Sequence, residues 1–367
     1  MAEELRLYFS ADYIDFLAQE LSSEIKLSNA DFRAYCLQDP WDDMALKERM
    51  ARLTDAIVRF LPEDANEGIA ILKRILPRIS GDAFKFAGML NMFIPDYVVQ
   101  HKENLTLDAA LEALIFFTHN GTTSEFAIRP FIIEHPEKSM ATLQELAFHP
   151  HPHVRRFASE GCRPRLPWAM ALPKFKKDPA PILPILEALR ADDSVFVQKS
   201  VANNLNDIAK DNPEIVLDYA GQWLGSHANT NWIIKHGSRT LLKKGNPRAL
   251  ALFGATPVEL TQINLELSHS HLDFGETLSF NFDARILGKL PDNLRIEYAI
   301  DFMKSNGKQA RKIFKISEIK PTMSDISLKK SHKFIDYSTR KHYGGAHGVA
   351  LIVNGVCAAH KEFELMR

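Results

Sequence analysis

The sequence predicts an α-solenoid of HEAT-like helical repeats followed by an immunoglobulin-like β-sandwich. Three observations carry this reading. Apolar residues recur at helical spacing from about residue 11 to 254. A helical segment recurs at intervals of 43 and 36 residues, within the range of two-helix repeats. After Gly254 to Pro257 the apolar period falls from 3.6 to near 2. The expected domains are 1–254, helical, and 258–367, β-stranded.

The first helices follow from apolar faces at Ile14, Leu17 and Leu21, then Met50, Leu53, Ile57 and Leu61, with Pro62 and Pro77 expected to punctuate them. In LDAALEALIFF, Leu107, Ala110, Leu111 and Leu114 line one face, and Asp108 suits a first turn. Ser124 to Ile133, SEFAIRPFII, is apolar around Glu125 and Arg129.

The stretch Val154 to Trp168, VRRFASEGCRPRLPW, organises the middle of the chain. Val154, Phe157, Ala158 and Gly161 take the spacing of a packed helix face, and Pro164 and Pro167 stop the helix before Trp168. Set above VQKSVANN, it aligns Phe157 with Ser200, Ala158 with Val201 and Glu160 with Asn203. A further shift aligns Ile233, Lys235 and Arg239 with Val197, Lys199 and Asn203. A single helical pair cannot bury its own face, so stacked neighbours must supply the core. In this register the polar stripes are Arg156 and Glu160; Lys199, Asn203 and Asp207; and Lys235, Arg239 and Lys243. Each has i, i+4 spacing and is expected to run along one helix. The wall they form is mostly basic yet contains carboxylates, which a surface that only held phosphates would not favour.

Charge follows the same division. Net charge is −1, but residues 1–149 carry 14 Lys and Arg against 24 Asp and Glu, while residues 150–250 carry 15 against 9. A local positive zone steers polyanions whatever the overall balance. Three separated cysteines, Cys36, Cys162 and Cys357, suggest neither a disulfide framework nor a zinc site. No apolar run of signal or membrane-spanning length is present, so a cytoplasmic monomer without membrane contact is expected.

Beyond residue 257, LTQINLELS, TLSFNFDARI, LRIEYAIDF, RKIFKIS, ISLKKSHKF, HGVALIV and VCAAHKEFEL read as seven strands. Asn354-Gly355 is a two-residue hairpin signal between the last two. No Cys–Trp–Cys core is present, so only the sandwich architecture is implied. The loop Ser338 to His347, STRKHYGGAH, is basic, aromatic and glycine-rich. It suits either a nucleic-acid groove or an ordinary hairpin.

SEFAIRPFI, VRRFASEGCRPRLPWAMALP, SVANNLNDIAKDNPEIV and NWIIKHGSRTLLKKGNPRALALFG together resemble the AlkC branch of the DNA alkylation-repair glycosylases, and the strand-rich tail is similar to the immunoglobulin-like domain that some of them carry. The resemblance implies hydrolysis of the N-glycosidic bond of positively charged alkylated bases, chiefly 3-methyladenine and 3-methylcytosine, in double-stranded DNA. It implies no base flipping and neither cofactor nor metal. Such a base leaves as a neutral species while the sugar gains cationic character, so a carboxylate near C1′ stabilises the transition state and can orient water. Carried onto this chain, the resemblance assigns the catalytic carboxylates to Asp207 as principal, with Glu125 and Glu160 as companions, and gives Trp168 a contact with the lesion or the backbone. Arg155, Arg156, Arg163, Arg165, Lys199, Lys235, Arg239 and Lys243 become candidate phosphate contacts.

Blander readings compete. Asp207 can be a solvated surface acid, Glu125 can pair with Arg129 at i+4, Glu160 can brace Arg156 or Arg163, and Trp168 can be core. Trp232 is a weaker candidate, and His149, His151 and His153 alternate with proline as an inter-repeat turn would. A non-catalytic helical-repeat scaffold binding nucleic acid or protein is the alternative function. The buried acids expected on a basic wall favour the enzyme.

Overall fold

The computed structural model describes residues 5–81, 84, 86–337 and 340–367. It folds as two compact units, Met1–Asn212 with Trp223–Gly237, and Pro213–Gln222 with Ser238–Arg367. The change from helix to strand falls where the sequence places it, after Gly254. The compact units divide the chain elsewhere. Arg248 ties the helix Pro247–Leu252 to Glu214 and Asp218 of the helix Pro213–Trp223. The carbonyls of Phe253 and Gly254 in turn accept hydrogen bonds from Asn293.

In the first unit, the helices Ala65–Ile79, Leu107–His119, Pro152–Gly161, Val195–Ile208 and Ala228–Gly237 pack each on the next. The repeat seen in the sequence from Val154 onward therefore extends back by two helices. Capping sets the starts of several. Asp64 accepts from the Asn66 amide and Thr106 from the Ala109 amide, while Pro152 occupies the first turn of its helix. Pro77 corrects an expectation, because it lies inside the helix Ala65–Ile79, within the last turn, where it ends nothing.

The face Val154, Phe157, Ala158 and Gly161 is buried as its spacing demands. Full burial of a side chain such as Phe157 contributes about 1.5–3 kcal/mol. Gly161 is required by closeness, since a Cβ there would stand 2.8 Å from Ile128 Cγ2.

In the second unit, β1 (Glu259–Leu267), β3 (Thr277–Leu287) and β6 (Asp325–Lys333) form a three-stranded sheet in the order β1-β3-β6. A five-stranded sheet has the order β2-β8-β7-β4-β5, with β2 His271–Asp273, β4 Leu294–Met303, β5 Gln309–Ile319, β7 Gly345–Val353 and β8 Val356–Met366. Strand β3 alternates strictly, turning Leu278, Phe280, Phe282, Ala284 and Ile286 inward against Tyr298, Ile300, Leu351 and Phe363. The hairpin between β7 and β8 turns at Asn354 and Gly355, both at positive φ, 44° and 79°. Seven strands were expected, and the eighth is β2, three residues long and paired in parallel with β8.

The expected loop 338–347 is also shorter than its sequence implies. Ser338 and Thr339 lie outside the described residues, the Arg340 guanidinium sits 4.7 Å from the Phe302 ring centroid, His342 and His347 are buried, and β7 already begins at Gly345.

Candidate active site

Glu125 enters the site from the turn before the helix Ile128–Glu134. The Ser124 hydroxyl donates to the Leu114 carbonyl at 2.9 Å, and the Ser124 carbonyl accepts from the Ile128 amide. That fixes the entry angle. Glu125 is buried, and its carboxylate meets the Arg156 guanidinium. Burial raises its pKa above the usual carboxylate range, the Arg156 charge opposing and Glu160 adding to the rise.

Glu160, also buried, comes from the helix Pro152–Gly161. Its Oε1 accepts from Arg163 Nη1 at 2.6 Å and its Oε2 from the Ser200 hydroxyl at 2.6 Å. Asp207, on the helix Val195–Ile208, accepts from Arg163 Nε at 2.9 Å through Oδ2 and from Lys210 Nζ at 2.9 Å through Oδ1. Arg163 therefore bridges two acids from neighbouring repeats. Burial works against its charge, and Glu160 and Asp207 more than reverse that, holding its pKa above the ordinary arginine value.

The three acids thus form one connected cluster with Arg156, Arg163 and Lys210. It opens on a cleft of about 620 Å³. Glu125, Glu160, Arg156 and Arg163 supply the polar wall, and Phe126, Trp168, Phe196 and Met89 are among the apolar residues facing it. Trp168 is 55% exposed, with φ at 67°, so it is not core. The Arg156 guanidinium carbon lies over the Phe196 ring, 4.4 Å from its centroid.

Several candidates are placed differently from expectation. Asp207 is not a solvated acid, being 2% exposed, but neither does it line the cleft, because Arg163 and Lys210 take its two oxygens. Arg163 lines the cleft but spends its guanidinium on Glu160 and Asp207. Arg155 is held by Asp192 and by the carbonyls of His149 and Pro150, which makes it an inter-repeat tie. Arg165 pairs with Asp211 at the surface. Glu125 does not pair with Arg129; the helix starts only at Ile128, so the i, i+4 geometry is absent. Lys235 stands on the helix Ala228–Gly237 of the first unit, and Arg239 and Lys243 stand on the helix Arg239–Lys243 of the second, with the chain passing between them at Ser238. Lys199 is exposed on its helix. Trp232 stacks on His236 at 4.9 Å; His149 and His151 occupy the turn leading into the helix Pro152–Gly161, of which His153 is the second residue, and the His151 ring lies 4.5 Å from His119.

Ser200, Lys210 and Phe196 are site residues the sequence reading did not single out. Only Ser200 left a trace, a hydroxyl residue aligned with the core position of Phe157.

Residues 117–241 match the family model described as DNA alkylation repair enzyme, and residues 261–367 match that of the YhaZ C-terminal Ig-like domain. The uncharacterized protein YhaZ of Bacillus subtilis (strain 168) is 41% identical over 360 residues, covering 96% of this chain and 98% of its own. The structure of the Pseudomonas fluorescens alkylpurine DNA glycosylase AlkC, bound to DNA containing an abasic site analog, is 33% identical and superposes with a TM-score of 0.91 over 99% of both chains. This chain therefore belongs to the AlkC family of DNA alkylation-repair proteins, helical-repeat proteins with a C-terminal immunoglobulin-like domain.

Proposed function

We propose that this protein is a monofunctional DNA glycosylase that hydrolyses the N-glycosidic bond of positively charged, N3-alkylated bases, 3-methyladenine and 3-methylcytosine, in duplex DNA without flipping the nucleotide. The observation that carries the reading is the cluster of three buried carboxylates opening on a cleft walled by Trp168 and Phe196. The likeness to the AlkC glycosylase over the whole chain supports it.

Breaking the C1′–N bond sends the bonding electrons to the cationic base, which leaves neutral and needs no strong general acid. The positive charge passes to the sugar. A carboxylate oxygen about 4 Å from that charge is worth about 4 kcal/mol at an effective dielectric near 20, and a cation on its far side at about 7 Å takes back roughly 2 kcal/mol. The acids of the cleft wall therefore keep a net attraction even though each is ion-paired. Water adds to C1′ and gives its proton to a carboxylate. Glu125, whose affinity for a proton is raised by burial, is the base proposed for that step.

Glu125 and Glu160 face the cleft directly, and Asp207 completes the field from behind Arg163. Arg156 at the cleft wall and Lys199, exposed on the helix Val195–Ile208, are the proposed phosphate contacts.

The test is single-turnover release of 3-methyladenine and 3-methylcytosine from methylated duplex DNA. Wild type should release both, with Glu125→Gln and Asp207→Asn each slower by at least about tenfold. No release by wild type would sink the reading in favour of a scaffold, and full activity in Asp207→Asn would remove that acid from the mechanism.

A further inference from the structure

Arg129 is wholly buried, yet no carboxylate is among its hydrogen-bond partners. Its three nitrogens donate instead to three main-chain carbonyls, Nε to Met170 at 2.6 Å, Nη1 to Gly161 at 2.9 Å and Nη2 to Arg163 at 2.9 Å. Burial lowers its pKa to about 10, with the nearby Arg163 charge adding to the fall and Asp207 and Glu160 opposing it, so it remains charged at neutral pH. Removing a guanidinium from water is expensive unless its donors are satisfied, and here the acceptors are the last residue of the helix Pro152–Gly161 and two residues of the segment that joins it to the helix Pro173–Lys177.

That segment carries two working parts of the site. Arg163 holds Glu160 and Asp207, and Trp168 forms part of the cleft wall. Trp168 is also held at φ 67°, a conformation that a tryptophan adopts only when its surroundings impose it. A second fastening holds the segment at Trp168 itself, whose carbonyl accepts from Lys47 Nζ at 2.8 Å. The helix that supplies Arg129 begins three residues after Glu125. One short stretch thus brings a carboxylate to the cleft and staples the opposite segment to it.

We infer that Arg129 is a positioning residue that sets the distance between Glu125 and the Arg163–Trp168 segment and holds Trp168 in its exposed pose. The planar fork matters. Three carbonyls spread over ten residues can be met by a guanidinium with its fixed, divergent N–H groups, whereas a lysine places all its donors on one atom. The inference rests on the glycosylase reading for its kinetic readout but has a spectroscopic readout that does not.

The experiment compares full-length wild type, Arg129→Lys, Trp168→Phe and the double variant. The emission of Trp168, taken as wild type minus Trp168→Phe, is measured with acrylamide quenching; thermal unfolding and single-turnover release of 3-methyladenine are measured beside it. Arg129→Lys should remain folded at 25 °C with a changed Trp168 quenching constant, a single-turnover rate at least tenfold lower, and affinity for abasic-site DNA within threefold of wild type. In the Trp168→Phe background the Arg129→Lys change should cost less than it does alone, because both act on one segment. Unchanged Trp168 quenching in folded Arg129→Lys overturns the inference whatever the kinetics. So do additive rate losses in the double variant. Should Arg129→Lys fail to fold, Lys47→Met relaxes the same segment from outside, and it must then shift Trp168 quenching for the inference to stand. Absence of base release by wild type overturns the glycosylase reading and leaves the quenching result to decide this one.

Discussion

The Ser200 hydroxyl donates to Glu160 Oε2 at 2.6 Å across the junction of two repeats, and it lies 3.1 Å from the hydroxyl of Ser159. Both partners are buried. In the repeat register Ser200 stands where the previous unit places Phe157, so the chain gives up apolar packing at that point to hold a carboxylate. A hydrogen bond to a charged group is worth about 1.5–3 kcal/mol, enough to fix which way Glu160 presents its oxygens.

Ser200→Ala should therefore leave the fold intact and lower the single-turnover rate by roughly three- to tenfold, the equivalent of about 1 kcal/mol at the transition state. Ser200→Thr, which keeps the hydroxyl, should recover most of it. The check is base release at saturating enzyme together with a thermal melt. A rate loss that threonine fails to restore would show that the packing at this position matters and the donor does not.

The pH dependence of the reaction should carry the signature of Glu125. Its carboxyl is raised by burial, with Arg156 pulling the other way. A base must be ionised to accept a proton, so rate is lost as pH falls through the raised value, and the acid limb should lie above the range of about 4.3 typical of an exposed glutamate. Removing the opposing charge with Arg156→Met should move the limb to still higher pH, while Arg156→Lys should hold it near wild type. The measurement is the single-turnover rate between pH 4.5 and 8.5, and a limb that stays put in Arg156→Met would separate it from Glu125.

The parts of this protein legible in its sequence are those governed by local periodicity. Val154, Phe157 and Ala158 mark a buried helix face, β3 alternates residue by residue, and Asn354-Gly355 makes the expected hairpin. The three carboxylates were found through resemblance, and their burial is what the fold adds. What stayed hidden depends on partners distant in the chain. The i, i+4 rule pairs Glu125 with Arg129, but a helix that starts at Ile128 frees Arg129 to bind carbonyls up to 41 residues away. Arg155 and Arg163 read as phosphate candidates in the sequence, and only the fold shows their pairing with Asp192 and Asp207. The strand β2 offers a single buried residue, Leu272, too little for any alternation to register.

The β-domain should lose stability in acid through its histidines. Burial holds the His332 pKa down at about 4, with His342, Arg340 and Lys312 adding repulsion. His342 and His347 are likewise lowered by burial, partly offset by Asp336 in one case and by the Tyr343 carbonyl in the other. In the unfolded chain these rings titrate near 6.5. Their folded values lie below that, so the unfolded state binds protons first. The stability they permit is complete above about pH 6.5 and drains away as pH falls toward the folded value of His332, about 4. His332 packs among Tyr298, Phe302, Phe314 and Phe334, an aromatic setting that a phenylalanine can fill without a charge to bury. Thermal melts of the full chain at pH 7.5 and pH 5 should show a drop for wild type that is smaller in His332→Phe. Equal drops in the two proteins would place the acid sensitivity outside this cluster.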